Sequence, residues 1–149
     1  MNIQIGIIGG SGLDNPELFL NPKDKTVTTK WGAPSSPLKL GQIAGTDVAL
    51  LGRHGREHTI PPTQVNYRAN IQALVELGVK DVLAVNVCGG IDQSVPIGGL
   101  QVVDDFIDFT KNRISTFFDG DEGVNHVDMT NPYNQELRNV LIKSCKNLN

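Results

Sequence analysis

The sequence predicts an α/β fold, a mixed and mainly parallel sheet flanked by helices, and three observations carry that expectation. Short, largely β-branched apolar runs end in glycine clusters, one helical pattern passes into a strand pattern without a loop, and a second one-sided helical stripe closes the chain. With 149 residues, 39% hydrophobic and 19% charged, the chain can close one core and is not disordered.

Residues 3–8 read as a buried strand cut off by Gly9-Gly10-Ser11-Gly12. Residues 26–29, 38–43 and 48–51 follow as three short strand candidates between Gly, Pro and Ser turns. Residues 31–37 form a loop, because Gly32, Pro34 and Pro37 interrupt any ladder. Pro61-Pro62 starts a helix that runs to about Leu77, with Tyr67, Ile71, Leu74 and Val75 at helical spacing and Gly78 as its stop. Residues 82–85 form the buried strand that follows, ending at Asn86-Val87-Cys88-Gly89-Gly90. Residues 100–109 are a further strand candidate. Asn131-Pro132 caps a last helix over 132–146, with Tyr133, Leu137, Val140, Leu141 and Leu148 on one side. A helix of this kind should return to another strand, so the chain is expected to be the N-terminal part, residues 1–149, of one larger domain.

Thirteen basic residues against sixteen acidic ones leave nothing to neutralise a nucleic-acid backbone, and no run approaches a membrane span. The first residues lack the pattern of an export signal, so the expected compartment is the cytoplasm. Cys88 and Cys145, far apart and outside any CxxC spacing, are expected to be packed thiols.

Chemistry is sought at the glycine clusters. Gly10 to Asn15 fails the dinucleotide fingerprint, and the P-loop lysine is missing. What remains is a strand entering a turn whose amides can form an anion nest, with Ser11 adding a hydroxyl; an ordinary tight turn is the alternative. The H-x-x-E-H of Arg53-His54-Gly55-Arg56-Glu57-His58 is no zinc motif, because Gly55 and the approaching prolines deny its residues a shared helix face. Arg53 and His54 instead follow a strand, where a guanidinium fork and an imidazole could hold an anion. Arg56 and His58 fit a solvated turn better. Asn86 interrupts a strand read as buried, either as a structural tie or as a ligand contact. Asp104, Asp105 and Asp108 read as solvated charge, and Asp119-Gly120-Asp121-Glu122-Gly123 fails as a calcium loop.

Gly6-Ile7-Ile8-Gly9-Gly10-Ser11-Gly12-Leu13, Trp31-Gly32-Ala33-Pro34-Ser35, the Arg53 to His58 run, Val65-Asn66-Tyr67-Arg68-Ala69-Asn70 and Phe106-Ile107-Asp108 together resemble the methylthioadenosine phosphorylase branch of the trimeric purine nucleoside phosphorylases. The resemblance covers nearly the whole chain and implies a nucleoside phosphorylase-like fold. It also implies phosphorolysis of a purine 5′-methylthionucleoside by orthophosphate, a co-substrate, with no cofactor and no metal. Ser11, Arg53, His54, Asn86 and Val87 would then hold the phosphate, and His126 would enter the sugar pocket of a neighbouring subunit in a homotrimer or a multiple of one. Where methylthioadenosine enzymes usually carry Thr and Ala, this chain has Asn86 and Val87, which is more similar to 6-oxopurine members and most similar to bacterial methylthioinosine phosphorylases. Methylthioinosine is therefore the expected substrate, with methylthioadenosine or a general purine nucleoside as alternatives. The family's purine-reading groups lie in a further C-terminal half, so no catalytic residue is expected here and the 149 residues alone are expected to be inactive. The alternative of a different class is a non-catalytic remnant that binds phosphate.

Overall fold

The computed structural model describes residues 2–10, 13, 16–120 and 123–148. It divides into two units, Met1–Val87 with Ile114–Thr116, and Cys88–Arg113 with Phe117–Asn149.

The first unit is built on β1 (Ile5–Gly9), β2 (Leu20–Lys25), β3 (Leu38–Ile43), β4 (Thr46–Gly52) and β5 (Asp81–Ala84). They form one mixed sheet in the order β2-β3-β4-β1-β5. β1 runs parallel to both neighbours, with Ile7 opposite Leu50 of β4 and Leu83 of β5, while β2, β3 and β4 make an antiparallel meander. Strands 1 and 4 are apolar at successive positions because both of their faces are covered. On one face Ile8, Ala49, Leu51 and Leu38 pack with Ala73 and Leu74 of the helix α1 (Tyr67–Glu76). On the other, Val48 and Leu50 pack with Phe19 against Ile5 and Ile7.

The helix lies close to the sheet because the facing positions are small: Ala69 and Ala73 are fully buried, and a Cβ on Gly6 would stand 3.0 Å from Cγ1 of Val79 and 3.2 Å from the Leu74 methyls. Its ends are specified locally. Asn66 is the N-cap, its side chain accepting from the Ala69 amide at 3.1 Å. At the other end Gly78 adopts φ +86°, its amide donating to the Val75 carbonyl and that of Val79 to Leu74, the paired bonds of a Schellman stop.

Several expectations need correction. The helix does not start at the prolines: Pro62–Gln64 is a 3-10 turn and Val65 is extended before the Asn66 cap. Val75 faces solvent. Residues 26–29 are not a strand, since Thr29 turns back on itself through paired bonds with Gly32; the strand lies earlier, at β2. β2 is exposed throughout and tolerates Pro22 because it is the sheet's outer strand and its register shifts between Leu20 and Lys23. Strand β5 forms as expected but is not buried, because it is the opposite edge of the sheet: Val82, Ala84 and Val85 are exposed, as is Asn86 beyond them.

In the second unit, residues 100–109 form no strand, having no ladder partner among the described residues. The helix α2 (Gln135–Lys146) begins at Asn134 rather than Asn131, because the Asn134 side chain accepts from the amides of Glu136 and Leu137. No residue of α2 is fully buried; Leu137 and Leu141 are half-buried, while Val140 and Leu148 are exposed. Arg138 ties this helix to the preceding segment, donating to the Val103 carbonyl at 2.8 Å. Cys88 is exposed and Cys145 half-buried, so only the second approaches the packed thiol expected; neither is in a disulfide.

Candidate active site at the strand ends

The carboxyl ends of β4, β1 and β5 lie side by side, and the chemistry-bearing residues of the first unit follow them directly. The parallel ladder continues one step past each strand: the Arg53 amide donates to the Gly9 carbonyl at 2.9 Å, and the Val85 amide donates to that of Ile8, also at 2.9 Å. These two bonds set Arg53 and Val85 on either side of the β1 end. The Arg53 guanidinium then crosses toward β5, one terminal nitrogen lying 3.4 Å from the Val85 carbonyl and another passing 3.7 Å from where a Cβ on Gly10 would stand. Gly10 has no side chain to lay against the guanidinium there.

His54 is fixed from two directions. Its Nδ1 lies 2.8 Å from the Ile60 carbonyl, and the Ile60 amide donates to the His54 carbonyl at 3.0 Å. Because a carbonyl only accepts, Nδ1 carries the hydrogen, and in the neutral ring Nε2 is an acceptor. That nitrogen faces Arg53 Nε at 3.3 Å. The two side chains expected to bind an anion are therefore joined to each other.

The turn that carries them is anchored from behind. Ser36 Oγ accepts from the Gly52 amide at 3.1 Å, immediately before Arg53. The Ser36 segment is held in turn by α1, where the buried Asn70 accepts from the Ser35 amide at 2.7 Å and donates to Ser35 Oγ at 3.0 Å. One helical turn earlier, Asn66 donates to the Trp31 carbonyl at 2.7 Å, and the Arg68 guanidinium stacks 3.8 Å from the Trp31 ring. A cavity of about 140 Å³ opens between Gly9-Gly10, Ser36, and the Gly52, His54 and Gly55 turn. Arg53 is not part of its wall; His54 is the side chain common to both.

Of the expected phosphate residues, Arg53 and His54 come together here. Val85, next to Asn86, meets the guanidinium through its carbonyl, while Asn86 and Val87 are exposed beyond it. Asn86 is thus not the buried amide that its apolar neighbours suggested. Ser11, like Gly12, Asp121 and Glu122, lies outside the described residues. His126 is exposed on an irregular segment of the second unit. The residues missed by sequence reasoning are Ser35, Ser36 and Asn70. Asn66 and Asn70, four apart on a helix otherwise facing a core, were the available signal, since a buried amide must find partners.

A guanidinium at the carboxyl end of parallel strands, beside a glycine turn, marks an α/β protein with a cationic group where open sheets of this kind place their ligands. Comparison with known proteins agrees: the chain belongs to the phosphorylase superfamily, whose family model matches residues 4–149. It is 47% identical over 146 residues to an S-methyl-5′-thioadenosine phosphorylase of Thermofilum pendens, covering 98% of this chain and 55% of that protein. It is 44% identical over 147 residues to a Dictyoglomus turgidum protein named "Probable 6-oxopurine nucleoside phosphorylase", covering 98% and 55%. Among solved structures, methylthioadenosine phosphorylase from Schistosoma mansoni in complex with adenine superposes with a TM-score of 0.88 at 38% identity, covering 97% of this chain and 54% of that one. Variants of the Schistosoma enzyme have also been solved, one with a serine changed to threonine in complex with methylthioadenosine, and one with both a serine and an asparagine changed to threonine. The chain spans about half the length of these relatives.

Proposed function

We propose that this chain is the N-terminal, phosphate-holding part of a single phosphorylase domain that cleaves a purine 5′-methylthionucleoside, methylthioadenosine first among the candidates. Orthophosphate attacks the anomeric carbon, the bond to the purine nitrogen breaks, and free base and 5-methylthioribose 1-phosphate leave. The observation that carries this is the convergence of Arg53, His54 and the Val85 strand end beside Gly10. A reaction with a loose, oxocarbenium-like transition state needs a fixed anion under the sugar carbon and stabilisation of the departing base, and a clamped guanidinium provides the first of these. In this proposal Ser11 and the Asn86-Val87 strand end complete the phosphate shell, and His126 reaches a neighbouring subunit's sugar pocket in a homotrimer. Orthophosphate is a co-substrate, and neither cofactor nor metal takes part. The exposed, unbridged thiol of Cys88 suits a reducing, cytoplasmic setting.

The inosine-type substrate expected from Asn86-Val87 is the second reading, favoured by the resemblance to the Dictyoglomus protein. It ranks behind methylthioadenosine because the names of the relatives from Thermofilum and Schistosoma specify methylthioadenosine. The Schistosoma enzyme, moreover, carries an asparagine of its own that was changed to threonine in a solved variant. The deciding experiment supplies the natural full-length polypeptide with phosphate and either nucleoside and follows base release. Phosphate-dependent adenine release with methylthioribose 1-phosphate as co-product is expected. Hypoxanthine release alone would move the assignment to methylthioinosine, and no phosphate-dependent release from either would overturn the proposal.

A further inference from the structure

We propose that His54 takes up one proton from solvent when the site binds a tetrahedral oxyanion, so that its Nε2 changes from the acceptor that holds Arg53 into a donor to the anion. This rests on the anion-site reading above and specifies what form of ligand that site takes: a deprotonated oxyanion together with a proton placed on the protein.

The inference follows from the two bonds of the ring. Nδ1 must give its hydrogen to the Ile60 carbonyl at 2.8 Å, so the neutral ring has no hydrogen left for Nε2. Nε2 is used instead to accept from Arg53 Nε at 3.3 Å. An imidazole in this state offers an incoming oxyanion a lone pair, which repels it. Rotation of the ring would break the Ile60 bond, and the return bond from the Ile60 amide keeps that carbonyl in place. Protonation at Nε2 turns the contact into two N–H groups pointing at each other. That conflict is resolved when an acceptor oxygen lies between them, receiving one hydrogen from His54 and one from Arg53.

The charges around the ring act in the same sense. Arg53 follows β4, Arg56 and Lys39 line the cavity on which His54 borders, and the His58 ring lies 4.8 Å from that of His54. Asp24 faces Arg56, which it binds at 2.7 Å, and Glu57 is exposed on the same turn; among the described residues no carboxylate lines the cavity. A proton added to the ring therefore joins the positive charges of Arg53, Lys39 and Arg56, and an anion offsets that repulsion. Proton and anion favour each other's binding, as linkage requires.

The test is calorimetric titration of the full-length protein with sulfate, which carries no proton of its own near neutrality, in buffers of different ionisation enthalpy slightly above neutral pH. Uptake of close to one proton per sulfate is expected, with affinity falling by up to about tenfold per pH unit. His54→Gln should abolish the uptake, while His58→Asn, at a φ of +56° that asparagine tolerates, should retain it. Ring nitrogen shifts of unmodified protein keep the proposal testable if the His54 variant fails to fold: Nδ1–H neutral without sulfate, doubly protonated with it. Sulfate binding with no buffer dependence, uptake that survives His54→Gln, or a ring that stays neutral would overturn the proposal and leave the anion site standing. Failure to bind either sulfate or phosphate would remove both.

Discussion

Arg53→Lys separates the fork of the guanidinium from its charge. Arginine uses Nε toward His54 at 3.3 Å and a terminal nitrogen toward Val85 at 3.4 Å, and its remaining nitrogen, beside Gly10, is the one the proposal gives to the anion. Lysine keeps the positive charge but has one nitrogen, so it can serve only one of these directions and has no Nε–H to share with the imidazole. Losing one charge-assisted hydrogen bond costs about 1.5–3 kcal/mol, which corresponds to roughly 10- to 150-fold weaker phosphate binding. The backbone bond from Arg53 to Gly9 is untouched, so the sheet should persist, as circular dichroism and thermal melting can verify. The assay is the initial rate of base release by the full-length protein against phosphate concentration at saturating nucleoside. A raised phosphate KM with a smaller change in the rate at saturating phosphate is expected. An unchanged phosphate dependence would refute the assignment of Arg53 as the anion clamp.

Further expectations concern stability and assembly. Asn70→Ala strands the Ser35 amide and hydroxyl behind the site, and should lower unfolding free energy by about 1–3 kcal/mol, read by urea denaturation. Gly6→Val pushes a side chain into Val79 and Leu74 and should cost about 1–3 kcal/mol by overpacking, whereas the same change at Gly45, which has open space but φ +79°, acts only through backbone strain. If His126 serves a neighbouring subunit, mixing His126→Ala and Arg53→Ala protomers should yield activity above the mean of the two parents, because some sites regain both residues. The Asp128 carboxyl is held below its ordinary range by hydrogen bonds from the Thr130 hydroxyl and amide. Its lowered pKa means the turn gains stability from the carboxylate above the ordinary value and loses it as pH falls through the folded one, which a carbon-detected NMR titration would follow.

Sequence pattern predicted those elements whose side chains determine their own fate. β3 has the expected bounds, β1 and β4 differ only at their ends, and Gly78 stops α1 because no other residue takes its backbone angle so easily. β2 was invisible because its Leu-Asn-Pro-Lys-Asp-Lys carries no alternation; it exists because β3 presents a free edge to it. Residues 100–109 failed in the opposite sense, with strand-forming side chains and nothing to pair with among the described residues. At the site, Arg53 and His54 were legible because they follow a clear strand. Their mutual bond was not, because it depends on the Ile60 carbonyl returning to His54 across a turn that Gly55 bends at φ +80°.

The place of β1 between β4 and β5 also has a consequence for synthesis at the ribosome. Of these five strands, the first to leave the tunnel is the one in the middle of the parallel segment, and its partners begin at Thr46 and Asp81. At roughly 5–20 residues per second, β1 waits on the order of several seconds before β5 exists to close its second side. The β3-β4 hairpin, joined by Ala44-Gly45, can form in that interval and offer β1 its first ladder. Nascent-chain arrest at successive lengths should therefore show protease protection of residues 5–9 arriving in two stages, the first with β4 and the second with β5.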